Sequence, residues 1–236
     1  MLCCITPLLM EHVLDNPAWN ALLSGNKHLA NGNHHAKYFD ADVSPFAGMP
    51  QYTSKNFNDI HKLLPANAIR LFVDINELNV PTRWKKLAYI KGWQMVYSAE
   101  LPQIENTSIL TELTTQHVPQ MISLARLTNP GPFEQRTIEM GSYQGIFNND
   151  ELIAMAGQRL QPSGYIEVSA VCTHPEHNGK GYSHNLMQSQ ISKIVESSCI
   201  PFLHVRHDNE RAIHVYERVG FTKRHEVHFY VMQKIG

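Results

Sequence analysis

Charge is scarce and balanced in this chain. Twenty lysines and arginines face 21 aspartates and glutamates, the formal net charge is −1 with a pI near 6.9, and only 17% of residues are charged. No basic field is available to draw a nucleic acid, and no charge run offers a membrane-surface face. Long apolar runs are missing as well. No stretch approaches the roughly 18 residues of a membrane span, and the opening Met1-Leu2-Cys3-Cys4-Ile5 lacks the basic start and apolar core of an export signal. A cytoplasmic setting is expected. Cysteine is limited to Cys3, Cys4, Cys172 and Cys199, with no Cys-x-x-Cys and no framework spacing, so they read as free thiols. What is present, 236 residues of which 43% are hydrophobic, suffices for one large domain or two small ones.

Histidine, by contrast, is plentiful at 14 residues. His174/His177, His204/His207 and His225/His228 repeat an i, i+3 spacing. None stands in a His-Glu-x-x-His helix or beside cysteine ligands, so they are read as surface and loop residues and no metal is expected.

The stretch around which the chain is organised runs from Tyr165 to Ser183. Tyr165 to Cys172 is mostly β-branched or apolar, Pro175 cannot continue a ladder, and Gly179 and Gly181 precede a long apolar-periodic segment beginning near Ser183. A strand, a tight loop and a helix start follow from this pattern. Such a loop turns successive backbone N–H groups one way and adds the positive end of a helix, which suits a phosphate or pyrophosphate. Along the strand, alternation places Ile166, Val168, Ala170 and Cys172 on one apolar face and Tyr165, Glu167, Ser169, Val171 and Thr173 on the other. A carboxylate and a hydroxyl on that mixed face should look into a cleft or into solvent, because an unpaired buried carboxylate is very costly. The loop is neither a dinucleotide-binding nor a Walker loop: it lacks the third glycine of the former and the Gly-Lys-Ser/Thr ending of the latter.

The rest of the chain alternates helices and strands. Helices are expected over His12–Leu23, Asn56–Leu64 and a segment after Pro81 that includes Trp84, Leu87 and Ala88; strands are expected over Ile69–Ile75 and Trp93–Tyr97. Leu101 to Asn106, polar and proline-bearing, marks a boundary between an N-terminal α/β domain (1–105) and a second domain (106–236). Beyond it come a strand over Ser108–Leu113, a helix over Gln116–Leu127 and a loop from Thr128 to Phe133. Strands over Tyr143–Phe147 and Leu152–Leu160 are joined across Asn148-Asn149-Asp150 and lead into the key strand. The helix after the glycine loop carries Met187, Ile191, Ile194 and Val195 on one face. Pro201–Val205 is the next strand. Asn209 should cap a helix over Glu210–Val219 that Gly220 terminates, and Val227–Met232 is the final strand.

The glycine loop resembles the acyl-CoA pyrophosphate loop of the GNAT superfamily of N-acetyltransferases, Arg/Gln-x-x-Gly-x-Gly/Ala, with Asn178, Gly181 and Ser183 at the three positions. Only Gly181 keeps the pattern; Asn178 and Ser183 depart from it. Asn209-x-x-Ala212-x-x-x-Tyr216-x-x-x-Gly220-Phe221 is similar to the second GNAT signature at every position, and Val171 to Pro175 with the ending after Phe221 looks like the FR47-like subgroup. The resemblance covers roughly residues 107–236. It implies the GNAT fold, an α/β (α+β) arrangement of a mixed, mostly antiparallel central sheet flanked by helices. The alternation of the N-terminal domain is compatible with a degenerate half of the same fold.

The resemblance further implies acetyl transfer from acetyl-CoA to an amine by direct attack in a ternary complex. The backbone of Asn178, Gly179, Lys180, Gly181, Tyr182 and Ser183 would hold the pyrophosphate, Val171 and Thr173 would pair with the pantetheine arm, and Asn209 would contact that arm. Tyr216 would protonate the sulfur and Glu167 would act as base, with Ser169 and Phe133 lining the acceptor pocket. The acceptor would be a small-molecule or peptide amine. A CoA-binding module without catalysis is the alternative, distinguished by the absence of turnover with any amine, and a histidine-metal hydrolase is a third, distinguished by metal analysis.

Overall fold

The computed structural model describes residues 12–100 and 109–236. The expected boundary segment and the Cys3-Cys4 pair lie outside them. A 3-10 turn at Val13–Asp15 is followed by α1 (Pro17–Leu23). The continuous helix expected over His12–Leu23 is divided at Asn16, because Pro17 has no N–H to extend a preceding turn and suits a first helical position instead. Next come β1 (Ala30–Gly32), β2 (Lys37–Phe39) and β3 (Ala47–Gly48), which form a small antiparallel sheet. Thr53 caps α2 (Ser54–Leu63), its hydroxyl oxygen accepting from the Asn56 N–H at 3.3 Å. The strands β4 (Ile69–Asp74) and β5 (Trp84–Tyr97) precede the expected boundary.

After it stand β6 (Thr111–Glu112), α3 (Val118–Thr128), β7 (Tyr143–Asn148), β8 (Glu151–Gln158) and β9 (Tyr165–Thr173). The chain closes with α4 (Tyr182–Glu196), β10 (Ile200–Arg206), α5 (Glu210–Val219) and β11 (Phe221–Lys234). Eight strands form one sheet in the order β4-β11-β5-β10-β9-β8-β7-β6, antiparallel at every pairing except β9 with β10.

The helix expected around Trp84, Leu87 and Ala88 is the first part of β5. Its apolar spacing fits either element, and β11 decides between them by offering an antiparallel partner along the whole length of β5. Leu87, which the helical stripe would have buried, is 43% exposed and stands unpaired at a bulge between Lys86↔Met232 and Ala88↔Val231. The same ladder bears on the two-domain expectation. β4 and β5 pair with β11, so strands from both sides of residues 101–106 share one sheet.

A bulge in β9 sets the geometry of the centre. Met155 pairs with Cys172 and Gly157 with Ser169, so Ala170 and Val171 together face Ala156, and Ala170 takes the left-handed φ of 52°. The alternation expected along this strand is therefore broken. Ile166 and Val168 pack with Met187, Ile191 and Ile194 of α4, whereas Ala170 and Cys172 pack with Met121, Leu124 and Ala125 of α3. One extra residue exchanges the faces of everything beyond it.

Candidate active site

β9 and β10 are paired at only three positions, Tyr165↔Ile200, Ile166↔Pro201 and Glu167↔Phe202. Beyond these each follows its other neighbour, β9 staying on β8 and β10 on β5. The divergence opens a cleft of about 830 Å³ in the middle of the sheet. Residues Val168 to Thr173 form one side of it, and His204 to Arg206, Asn209 and Tyr216 the other. Thr128, the last residue of α3, and Asn129 to Pro132 after it add an edge, and Phe46, Leu71, Ile90, Phe229 and Val231 make an apolar wall.

At one end the glycine loop enters α4. Gly179 and Gly181 have φ values of 79° and 78°, and Gly181 is the N-cap of the helix. Among the described residues neither has any atom within 4 Å of where a Cβ would stand, so the left-handed backbone, rather than a crowded neighbour, requires glycine. The first intrahelical bond runs from the Asn185 N–H to the Gly181 carbonyl at 3.1 Å, which leaves the N–H groups of Tyr182, Ser183 and His184 as open donors. This terminus is built for an anion.

Beneath the cleft lies a chain of polar side chains. The Glu167 residue is 0% exposed. Its Oε2 receives Arg159 Nε at 2.9 Å and the Leu160 N–H at 3.2 Å; its Oε1 receives Arg159 Nη2 at 2.6 Å and His204 Nδ1 at 2.7 Å. Burial alone would raise this carboxyl's pKa, but Arg159 and then His204 outweigh it and hold the group far below the usual carboxylate range. On the far side of His204, Gln94 Nε2 donates to the Leu14 carbonyl at 2.8 Å and meets His204 Nε2 at 3.2 Å. Gln94 Oε1 accepts from Arg224 Nη1 at 2.8 Å, and Arg224 Nη2 reaches Asp15 Oδ1 at 2.5 Å. With the amide fixed by Arg224 and Leu14, His204 accepts at Nε2 and carries its proton on Nδ1, toward Glu167.

Tyr216 stands across the cleft on α5, half-buried, its ring 6.4 Å from that of Phe221. Burial, with the Cys172 thiol adding to it, pushes its hydroxyl up to about 12, so the proton is retained at neutral pH. Cys172 is pushed up to about 11 by burial, which keeps it a neutral thiol and a poor nucleophile. Asn209, on the cleft lining, caps α5 through Oδ1, which accepts from the Ala212 N–H at 3.1 Å; its amide nitrogen takes no part in the cap. Thr173 Oγ1 is buried on the cleft wall with no hydrogen-bond partner among the described residues.

Of the residues singled out from the sequence, Ser169, Val171, Thr173, Asn178, Ser183, Asn209 and Tyr216 meet at this cleft. Gly179, Lys180, Gly181 and Tyr182 complete the loop beside it; Lys180 Nζ lies 3.3 Å from His177 Nδ1, and Tyr182 packs against the cluster around Leu186. Phe133 is not on the wall. Its ring turns inward, 5.6 Å from Tyr143, because an aromatic side chain gains more from the core than from an open edge. Glu167 is likewise sealed beneath the cleft rather than facing it. The surface reading of the histidines fails for His61, which is 2% exposed, and for His204 and His228, whose side chains are 3% and 8% exposed. His204 and Arg159 were missed as cleft residues, although a histidine and an arginine at the ends of two apolar strand runs were the available signal.

Residues 143–230, which contain β7 to β10, the glycine loop and α5, match the family model described as FR47-like protein. This stretch is an FR47-like domain. The likeness to GNAT-family structures extends over the rest of the chain. A GNAT-family structure from Novosphingobium aromaticivorans superposes with a TM-score of 0.89 at 28% identity, covering 96% of this chain and all (100%) of its own. A GCN5-related N-acetyltransferase from Kribbella flavida has a TM-score of 0.60 at 14% identity, covering 93% of this chain and 96% of its own. An acetyltransferase of the GNAT family from Colwellia psychrerythraea gives 0.52 at 11% identity, covering 83% of this chain and 80% of its own. The last two are likenesses of fold. No curated protein matches the chain by sequence. In this GNAT fold the FR47-like domain supplies the splayed strands and the loop, and β4 and β5 from the N-terminal part supply Leu71 and Ile90 of the apolar wall.

Proposed function

We propose that the chain transfers the acetyl group of acetyl-CoA to an amine by direct attack in a ternary complex, in the cytoplasm. One observation carries this reading: β9 and β10 part after three pairs, and the opening joins a left-handed glycine loop at a helix N-terminus to a tyrosine hydroxyl facing the bulged strand. The open N–H groups at the start of α4, with Asn178 and Ser183, fit a pyrophosphate. The unpartnered Thr173 Oγ1, the free edge of β9 and the Asn209 amide fit an amide-bearing arm laid along the strand.

In the transfer the amine nitrogen forms a bond to the thioester carbonyl carbon and the carbon–sulfur bond breaks. The nitrogen loses a proton to cleft water, and the sulfur leaves as a thiolate. The bulge at Ala170 and Val171 leaves a main-chain donor outside the ladder, suited to hydrogen-bond the oxygen on which charge develops. Tyr216 donates to the departing sulfur. Because its own pKa exceeds that of a thiol, about 8.5, complete proton transfer is uphill, and its contribution is mainly a hydrogen bond to the thiolate until solvent protonates it. Glu167, expected as the base, is better assigned as a positioning residue: both oxygens are taken, and through them it fixes Arg159 and His204 on the cleft.

CoA release from acetyl-CoA, followed with a thiol reagent across a panel of amines, tests the reading. Release that depends on both amine and acetyl-CoA supports it. Binding of acetyl-CoA without release by any amine would leave a CoA-binding module in its place.

A further inference from the structure

An acetyltransferase needs an acceptor, and the lining of this cleft favours one kind. Among the described residues it contains three arginines, Arg159, Arg206 and Arg211, and no aspartate or glutamate. A polyamine or an aminoglycoside brings several cations and would find no carboxylate to receive them. Arg206 and Arg211 flank Asn209 at the start of α5, on the side assigned to the cofactor.

Arg159 stands apart from them, among the apolar residues. Its Nε and Nη2 are committed to Glu167 at 2.9 and 2.6 Å. Its Nη1 makes no hydrogen bond among the described residues and lies at the cleft edge, 3.6 Å from where a Cβ on Gly131 would stand. The guanidinium lies 5.0 Å over the Phe46 ring, and the side chain is 11% exposed. Phe46, Leu71 and Phe229 belong to one buried cluster, with Ile90 and Val231 packed against it. A planar donor edge with free N–H groups, set in an otherwise greasy wall, is suited to a carboxylate whose neighbouring substituent is apolar.

We propose that the acceptor is a small amine carrying a carboxylate and an apolar group, of which an α-amino acid with a non-polar side chain is the simplest. Its carboxylate meets Arg159 Nη1, its side chain covers Phe46, Leu71 and Phe229, and its amine is presented toward the bulged strand. Glu167 does not compete for the ligand: it is paired with the Arg159 guanidinium, both of its oxygens are occupied, and it is sealed below the cleft floor. This assignment rests on the acetyltransferase function proposed above.

Phenylalanine, phenylalaninamide, phenethylamine and spermidine, compared as acceptors by CoA release, test it. Phenylalanine should exceed each of the others in kcat/KM by about tenfold or more, since removing the charge leaves the arginine edge unmatched. In Arg159→Lys, which keeps a cation for Glu167 but gives up the free edge, the preference for phenylalanine over its amide should collapse, with folding checked by thermal melting. Equal or better use of the amide, the plain amine or spermidine by the parent protein would overturn the assignment. A second measurement does not depend on turnover. N-acetylphenylalanine should bind the CoA-loaded protein at least tenfold more tightly than N-acetylphenylalaninamide by calorimetry, and equal affinities overturn the assignment. If no amine releases CoA, the acetyltransferase function itself fails, and the carboxylate preference then stands or falls on this binding comparison.

Discussion

Glu167, which pairs with Phe202 in the last rung between β9 and β10, accepts at Oε1 from His204 Nδ1 at 2.7 Å, two residues beyond that rung on β10. The contact ties together two strands that are about to separate, and it does so with a carboxylate sealed from water. Removing its charge leaves Arg159 with an uncompensated buried cation. Glu167→Gln should therefore destabilise the fold by about 3–5 kcal/mol, read from denaturant or thermal melts. The pH dependence has a definite sign. The folded pKa is depressed, so the stabilisation is complete above the unfolded value of about 4.3 and is lost as pH falls below it toward the folded value. The melting-temperature gap between parent and variant should thus narrow from pH 7 to pH 3.5. A gap independent of pH would show that the charge of Glu167 is not what holds the junction.

Tyr216→Phe keeps the ring against Phe221 and removes the hydroxyl, which has no side-chain hydrogen bond to lose among the described residues. Stability should move by less than about 1 kcal/mol, and acetyl-CoA affinity should be unchanged. Turnover should fall by roughly ten- to a hundredfold, the worth of a hydrogen bond to a charged group, because the thiolate is a fair leaving group without further help. Full turnover in this variant, measured by CoA release, would remove Tyr216 from the chemistry.

Gly181 is the N-cap of α4 at a φ of 78°, with no atom of the described residues within 4 Å of where a Cβ would stand. Gly181→Val forces a β-branched residue into the left-handed region, at a cost of about 1–3 kcal/mol, and should misdirect the N–H groups that follow. Acetyl-CoA affinity should drop at least tenfold by calorimetry. Gly181→Asn, whose side chain tolerates that region, should retain most of it. Equal affinity in the valine and asparagine variants would mean that backbone conformation at this position is irrelevant to the cofactor.

Ala170 sits at φ 52° within a strand, 8% exposed, so the bulge holds strain in an ordinary residue. Ala170→Gly should leave stability within about 1 kcal/mol of the parent, relief of strain offsetting the looser unfolded chain. Ala170→Val should lose more than about 2 kcal/mol, combining a forbidden φ with overpacking against α3. Melting curves decide, and a valine variant as stable as the parent would mean that the bulge is not maintained by this backbone conformation.

Local chemistry made much of this site legible. Gly179 and Gly181 ahead of a periodic helix, Asn209 as a cap, Gly220 as a stop and Tyr216 on the inward face of α5 are short-range features, set within a turn or two of chain. The structure places them where that chemistry put them. Elements whose identity depends on a distant partner were another matter. The pattern around Trp84, Leu87 and Ala88 serves a helix or a strand equally well, and β11, more than 130 residues later in the chain, makes it a strand.

The sequence by itself determined the order of elements from α3 onward, the left-handed loop glycines and the family signature, because each is a property of neighbouring residues and their backbone preferences. Tertiary structure alone decided that β4 and β5 join the same sheet, and that one extra residue at Ala170 swaps the faces of β9. It alone decided that Glu167 is sealed between Arg159 and His204 rather than open to the cleft. Alternation along a strand says which residues share a side only while the ladder stays regular. A carboxylate's exposure depends on which cations arrive from other strands, and no local pattern encodes that arrival.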